Sequence, residues 1–259
     1  MQLALLQLAD GTGNMCGRFV STSKPEDLVQ LFGVTRWNPE EVLEPDWNVS
    51  PTDPVWAVLE RPVRDEGPAP VRQLRALRWG LVPSWAKDPS VGSRMINARA
   101  ETVHEKPAFR KAFTSRRCLL PADGFYEWVA VPATTAAKAR KQPYFITPQD
   151  GGPMAMAGLY EFWRNPEAPE EDPAAWLTTC SIITTDATDA AGRIHPRMPL
   201  TITPADTDAW LDPAHGDPTA LRALLVSPGA GRLTVRPVSS AVNSVRNNGP
   251  HLLDEAPQA

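Results

Sequence analysis

Four short stretches concentrate polar or reactive side chains among apolar ones: "MCGRF" (15–19), "MINARAET" (95–102), "ADGFYEW" (122–128) and "GRIHPRMP" (192–199). They supply a thiol (Cys16), a neutral amide (Asn97), a carboxyl between two aromatic residues (Glu127) and an imidazole (His195). Arg18, Arg99 and Arg197 sit beside them. A thiol and an imidazole suit nucleophilic chemistry with proton transfer, and apolar neighbours raise a carboxyl toward neutrality. An amide donates and accepts without adding charge. Each stretch also has a plain structural reading. A free cysteine is most often a small core residue, Asn97 serves equally to satisfy a loop, His195 suits a surface, and Glu127 suits the outward position of an alternating strand.

Other chemistry is excluded by what is missing. There is no G-x-S-x-G elbow and no phosphate-binding loop, and "HEKPA" (104–108) lacks the second histidine of a zinc-binding helix. The three cysteines, Cys16, Cys118 and Cys180, are far apart and odd in number. They offer neither a disulfide framework nor a paired-cysteine zinc site, so no metal and no organic cofactor is expected and a reducing cytoplasm fits.

The elements that must position these groups are mixed α and β. "STSKPEDLVQLFG" (21–33) predicts a helix, with Ser23 and Glu26 as a capping box and Gly33 at the stop. Strands are predicted over 54–60, 74–82, 118–131, 142–148, 154–163, 176–185 and 232–239, each rich in β-formers and bounded by Gly or Pro. Short helices fit 107–113, 203–211 and 218–225. Without regular β-α alternation or an internal repeat, the expected class is α+β: a single domain on a curved, mostly antiparallel sheet or open barrel with short flanking helices. The charged, proline-rich stretches 60–70 and 165–173 read as surface insertions, and the ends, 1–14 and 252–259, as flexible.

At 259 residues with 42% apolar content the chain is long enough for a real core. No apolar run approaches the roughly 18 residues that cross a bilayer, and the start lacks a secretory pattern. The net charge of −4 argues against bulk electrostatic coating of nucleic acid. The charge is uneven, however. Residues 94–117 carry seven cations, from Arg94 to Arg117, against Glu101 and Glu105. That face either tracks a phosphate backbone or is simply a solvated helix surface.

Seven stretches in order change the reading of the four: "MCGRF", "WNVSP" (47–51), "RWGLVPSWA" (78–86), "INARAET" (96–102), "PADGFYEW" (121–128), "IHPRMPL" (194–200) and "VNSVRNNG" (242–249). Together, from Met15 to about His251, they resemble the SOS response-associated peptidase (SRAP) family, which crosslinks covalently to abasic sites in single-stranded DNA. The resemblance implies a domain over 15–251 that works as a monomer, with abasic single-stranded DNA as its partner and no membrane. It implies that Cys16 becomes the N-terminus and joins its amine and thiol to the ring-opened sugar aldehyde as a thiazolidine. An internal cysteine has only an amide nitrogen, so the leader 1–14 is expected to be absent or removed in the active protein.

The same resemblance implies roles for the other positions. Glu127 moves protons, His195 donates to the sugar oxygen, and Asn97 holds the amine and the sugar. Arg18, Arg99 and Arg197 clamp phosphates, while Trp79, Pro83 and Trp85 form a wedge against a base. Two rival readings use the same residues. One is a cysteine peptidase, acting on itself or otherwise, with Cys16, His195 and Glu127. The other is a non-catalytic single-strand-binding module in which Cys16 is inert.

Overall fold

The structure, a computed structural model, describes residues 16–63, 66–133, 138–169, 171–188, 190–226 and 232–256. The leader 1–14 and the last three residues of the expected tail lie outside them. In chain order the first half contains β1 (Phe19–Ser21), α1 (Pro25–Phe32), β2 (Arg36–Trp37), β3 (Asp46–Val49), β4 (Pro54–Pro62), β5 (Pro70–Trp79), β6 (Asn97–Arg99) and α2 (Arg110–Ser115). The second half contains β7 (Arg117–Ala122), β8 (Gly124–Val131), β9 (Arg140–Pro148), β10 (Met154–Arg164), β11 (Trp176–Asp186), β12 (Arg197–Pro199), α3 (Thr207–Leu211), α4 (Pro218–Ala223) and β13 (Leu233–Pro237).

The α+β expectation holds, and the barrel is closed. Strands β5, β4, β7, β10 and β11 form antiparallel neighbours, and β11 returns to pair with β5 in parallel, Cys180 opposite Trp79. Alternate side chains of each wall strand point to opposite faces, and here both faces are buried. Val55, Ala57 and Leu59 of β4 join one core cluster, while Trp56 and Val58 join another that holds residues of α1, α2, α3 and α4. A wall covered on both sides reads as a continuous apolar run rather than as an alternation.

The second sheet has the order β13-β9-β8-β1-β3. It takes its central strand from a segment that the sequence reads as one strand, 118–131. The structure divides that segment at Asp123, with β7 in the barrel and β8 in the second sheet. Asp123 accepts hydrogen bonds from the Thr22 N–H at 2.7 Å and from Thr22 Oγ1 at 2.6 Å. Gly124 follows because a Cβ there would lie 2.6 Å from the Ile146 carbonyl oxygen.

That corner also corrects the helix start. α1 begins after Lys24 with no side-chain cap, and Ser23 donates to Asp123 Oδ1 at 3.3 Å instead of closing a box with Glu26. The C-terminal stop is as read, with Gly33 left-handed at φ 61°. Two residues of the expected flexible tail have defined contacts. Leu252 is fully buried, and the Ala256 N–H donates to the Pro237 carbonyl at 3.1 Å.

Candidate functional site

β1 and β8 run antiparallel with Phe19 opposite Phe125 and Val20 opposite Gly124, and the Tyr126 N–H donates to the Arg18 carbonyl at 3.0 Å. Cys16 lies two residues before Arg18, within reach of the Glu127 side chain. The Cys16 N–H donates to Glu127 Oε1 at 2.8 Å. Cys16 has φ 40°, in the left-handed region. A side chain bearing a Cβ is destabilised by roughly 1–2 kcal/mol there, so packing must hold the residue in place. It does: Cys16 is fully buried, in one cluster with Phe19, Trp79, Ile96, Ile182, Ala191 and Met198.

Glu127 is only 4% exposed. Burial pushes its carboxyl up to about 7, against the opposing pull of the Cys16 and Trp128 N–H groups. Near neutral pH such a group both gives and takes a proton. Burial, and secondarily Glu127, push the Cys16 thiol well above its ordinary value. In this arrangement it is a thiol and not a thiolate.

β11 is the spine for the remaining groups. On one edge Asn97 lies opposite Ile182 and Arg99 opposite Thr184; on the other, Arg197 lies opposite Asp186 and Pro199 opposite Thr184. Asn97 and His195 are half-buried, and each adjoins a member of the Cys16 cluster, Ile96 for Asn97 and Ala191 for His195 through its 3.0 Å backbone bond. His195 Nδ1 accepts the Arg197 N–H at 3.1 Å and lies 3.2 Å from the Arg197 carbonyl.

The expected DNA-contact residues divide. Trp79 is fully buried, edge-on to Phe19 with ring centroids 5.0 Å apart, and its Nε1 donates to the Ile96 carbonyl at 2.9 Å. Trp79 is therefore a barrel residue and no part of a surface wedge. Pro83 is buried as well, whereas Trp85 is 66% exposed. The loop from Trp79 to Trp85 turns at Gly80, with φ 122°, where a Cβ would lie 2.6 Å from the Gly92 carbonyl oxygen. Arg99 is exposed; Arg18 is half-buried and donates to Asn48 Oδ1 at 2.6 Å. The Arg197 guanidinium is engaged by Glu101, Asp186 and the Thr184 carbonyl. Within the basic stretch, Arg94, Lys106, Arg110 and Lys111 are exposed, but Arg116 pairs with Glu161 at 2.7 Å and Arg117 is buried.

The family model described as SOS response associated peptidase (SRAP) matches residues 15–245. The chain belongs to the SRAP family. It is 40% identical over 240 residues to abasic site processing protein YoqW of Bacillus subtilis, covering 93% of this chain and 99% of that one. It is 31% identical to abasic site processing protein HMCES of Xenopus tropicalis, covering 92% and 78% respectively. A solved structure from Bacteroides thetaiotaomicron shares the fold with TM-score 0.75 at 23% identity, over 93% of this chain and 100% of that one. A phage-related protein from Bordetella bronchiseptica superposes with TM-score 0.61 at 29% identity, over 86% and 94%.

The SRAP chain also uses residues to which the sequence reading assigned no role. Asn48 of "WNVSP" is 3% exposed and donates through Nδ2 to the Ser244 carbonyl at 3.0 Å and the Asn247 carbonyl at 2.8 Å. Asn248 Oδ1 accepts the Trp47 N–H at 2.8 Å, and Asn243 Oδ1 accepts Trp128 Nε1 at 2.6 Å. These bonds fasten the 243–248 segment beside Arg18 and against Trp128, the neighbour of Glu127 in β8. The three asparagines of "VNSVRNNG" are the available signal. Among the described residues no cluster of three or more His, Cys, Asp or Glu is placed to hold a metal ion. Among them, too, no helix is long and apolar enough to cross a membrane.

Proposed function

We propose that this chain processes abasic sites in single-stranded DNA by forming a thiazolidine through the nitrogen and sulfur of Cys16, once the residues ahead of Cys16 are removed. The observation that carries the reading is the buried Glu127 carboxyl, 2.8 Å from the Cys16 nitrogen and near 7 in pKa, in a chain of this family. The same residue supplies both nucleophiles, so one anchored position serves two bond-forming steps.

A free α-amine titrates near about 8, leaving a reactive fraction at neutral pH. The amine adds to the aldehyde carbon C1′ of the ring-opened deoxyribose. Glu127 carries one amine proton to the alkoxide to give the carbinolamine and then the second to its hydroxyl, which leaves as water and gives the imine. The Cys16 thiol then adds to the imine carbon, its sulfur forming the new bond and its proton passing to the ring nitrogen. Aldehyde and cysteine yield thiazolidine and one water, with no redox change. Trp85 and the exposed Arg94 and Arg99 provide a stacking surface and cations for the flanking strand.

Intact mass spectrometry tests the reading. Chain beginning at Cys16, mixed with an abasic oligonucleotide, gains the mass of that oligonucleotide less one water, and Cys16→Ser gives at most an imine trapped by borohydride. Stable adduct from Cys16→Ser, or from chain whose mass still includes the leader, overturns it.

A second reading has its own support. The peptide nitrogen of Cys16 already donates to Glu127, and its backbone is strained at φ 40°. A carboxyl near neutrality beside the leaving nitrogen suits hydrolysis of the bond before Cys16, which would expose the amine. Purified full-length chain that loses residues 1–15 on incubation, and retains them as Glu127→Gln, supports self-processing; loss at equal rates in both rejects it.

A further inference from the structure

We propose that Trp163 and Thr179 are positioning residues for Trp85, holding the loop that carries the exposed ring in one shape before DNA arrives. The inference rests on the single-strand reading above and concerns two residues to which that reading gives no role. Trp163 lies near the end of β10, opposite Leu177 of β11, and Thr179 lies two residues further along β11.

The loop that follows β5 leaves one aromatic ring in solvent between two buried residues. Pro83 and Ala86 are buried, whereas Trp85 is 66% exposed. The Ala86 N–H donates to the Pro83 carbonyl at 2.9 Å, closing a turn with Ser84 and Trp85 at its tip. Both ends of that turn are fastened to the β10-β11 pair. The Trp163 Nε1–H donates to the Ala86 carbonyl at 2.7 Å, and the Val82 N–H donates to Thr179 Oγ1 at 2.9 Å. The Gly80 N–H adds a third bond, to the Cys180 carbonyl at 2.8 Å. Trp163 is itself buried, in one small cluster with Val82, Ala86, Val91 and Leu177. Its indole therefore fills the space under the loop and supplies the donor that holds it.

These anchors also relate the loop to the candidate site. β11 holds the loop at Thr179 and places Ile182 opposite Asn97. The two points are three residues apart, roughly 10 Å along a strand. One strand thus sets the offset between the ring that stacks on a base and the amide that holds the sugar. A loop already fixed at that offset needs no ordering when the strand binds, so the anchors act on binding rather than on the bond-forming steps.

The test is a double-mutant cycle on chain beginning at Cys16. Trp163→Phe keeps an aromatic filler and deletes the donor. The concentration of abasic single-stranded DNA that half-saturates adduct formation is expected to rise by about 3- to 10-fold, the scale of leaving one large side chain to be ordered on binding. The rate at saturation stays at the wild-type value. In a Trp85→Ala background the same substitution raises the half-saturating concentration no further, because the anchor acts through that ring. Additive losses, or a slower rate at saturation with binding intact, would overturn the proposal. Thr179→Val removes the other anchor at nearly constant shape and is expected to weaken binding in the same way, while Thr179→Ser keeps the acceptor oxygen and binds as wild type. That pair carries the cycle should Trp163→Phe fail to fold, and equal binding by the two rejects the anchoring.

Hydrogen exchange in the free protein separates this inference from the function on which it rests. The Val82 and Ala86 amides are expected to lose protection in Trp163→Phe, while the Ile182 and Leu200 amides of the barrel, bonded to the Ile96 and Ile183 carbonyls, keep theirs. If the wild-type chain forms no adduct, the proposed function fails, yet loop protection that depends on Trp163 still supports the anchoring. Equal exchange at Val82 and Ala86 in wild type and Trp163→Phe rejects it.

Discussion

Two charged side chains are almost equally hidden, Arg117 at 1% exposure in the barrel wall and Glu127 at 4% beside Cys16, yet their surroundings differ. Every arm of Arg117 meets a fixed carbonyl: Nε donates to Trp210 at 2.7 Å, Nη1 to Phe113 at 2.9 Å, and Nη2 to His215 at 3.0 Å and to Asp212. Burial lowers its pKa only to about 10, so it remains a cation throughout the physiological range. Glu127 has two backbone N–H groups, and burial raises it to about 7. The first arrangement leaves one stable protonation state, and the second leaves two of nearly equal free energy. A buried charge saturated with partners builds the framework, while one given few partners is free to move protons.

The sharpest way to break this comparison is at Arg117. Arg117→Ala strands four carbonyls and is expected to cost about 3–5 kcal/mol, the scale of an interrupted buried charge network. Its urea midpoint should fall accordingly, and Arg117→Lys should not restore it because an ammonium lacks the planar fork. A midpoint within experimental error of the wild type would remove Arg117 from the framework.

Glu127 is expected to behave in the opposite way. Glu127→Gln should slow crosslinking by about 100-fold or more while DNA binding persists. In chain still carrying the leader, stability should respond to pH as follows. The folded carboxyl titrates near 7 against an ordinary 4.5, so its contribution is fully present below about 4.5 and is lost as pH rises through 7. Glu127→Gln escapes that loss, so it should melt above wild type at pH 8, by up to about 3 kcal/mol, and equally at pH 4.5. A free Cys16 ammonium beside the carboxylate should shrink the difference. Equal melting at both pH values would mean that Glu127 is not desolvated.

The two tryptophans of "RWGLVPSWA" sharpen the contrast at smaller scale. Trp79→Ala should lower stability by about 3–5 kcal/mol. Trp85→Ala should leave melting unchanged and weaken single-strand binding by about 1–3 kcal/mol. Loss of binding from Trp79→Ala at unchanged stability would restore the wedge to Trp79. Smallest of all, Arg99→Ala should reduce the salt slope of binding by about one.

Much of this was legible in the sequence because it rests on local rules. Glycine at the left-handed stop of α1 and the aromatic flanks of Glu127 report their environment within a few residues. The division at Asp123 was not legible, since "CLLPADGFYEWVAV" satisfies strand propensity from end to end. Only partners distant in sequence, β4 and β10 for one half and β1 and β9 for the other, decide that it serves two sheets. Ser23 was likewise misread: a capping box is a local rule, and Asp123, one hundred residues away, outcompetes it.

By itself, then, the sequence determined the chemistry on offer: a thiol, a carboxyl set among aromatics, an imidazole, an amide and a set of arginines. Side-chain type and near neighbours suffice for that. The tertiary structure alone decided which of them meet. It set Cys16 against Glu127, buried Trp79 while exposing Trp85, and tied Arg197 to Glu101. Burial and hydrogen-bond partnership come from strands far apart in the chain, and they determine whether a given arginine is buried or faces solvent and whether a given carboxyl titrates near neutrality.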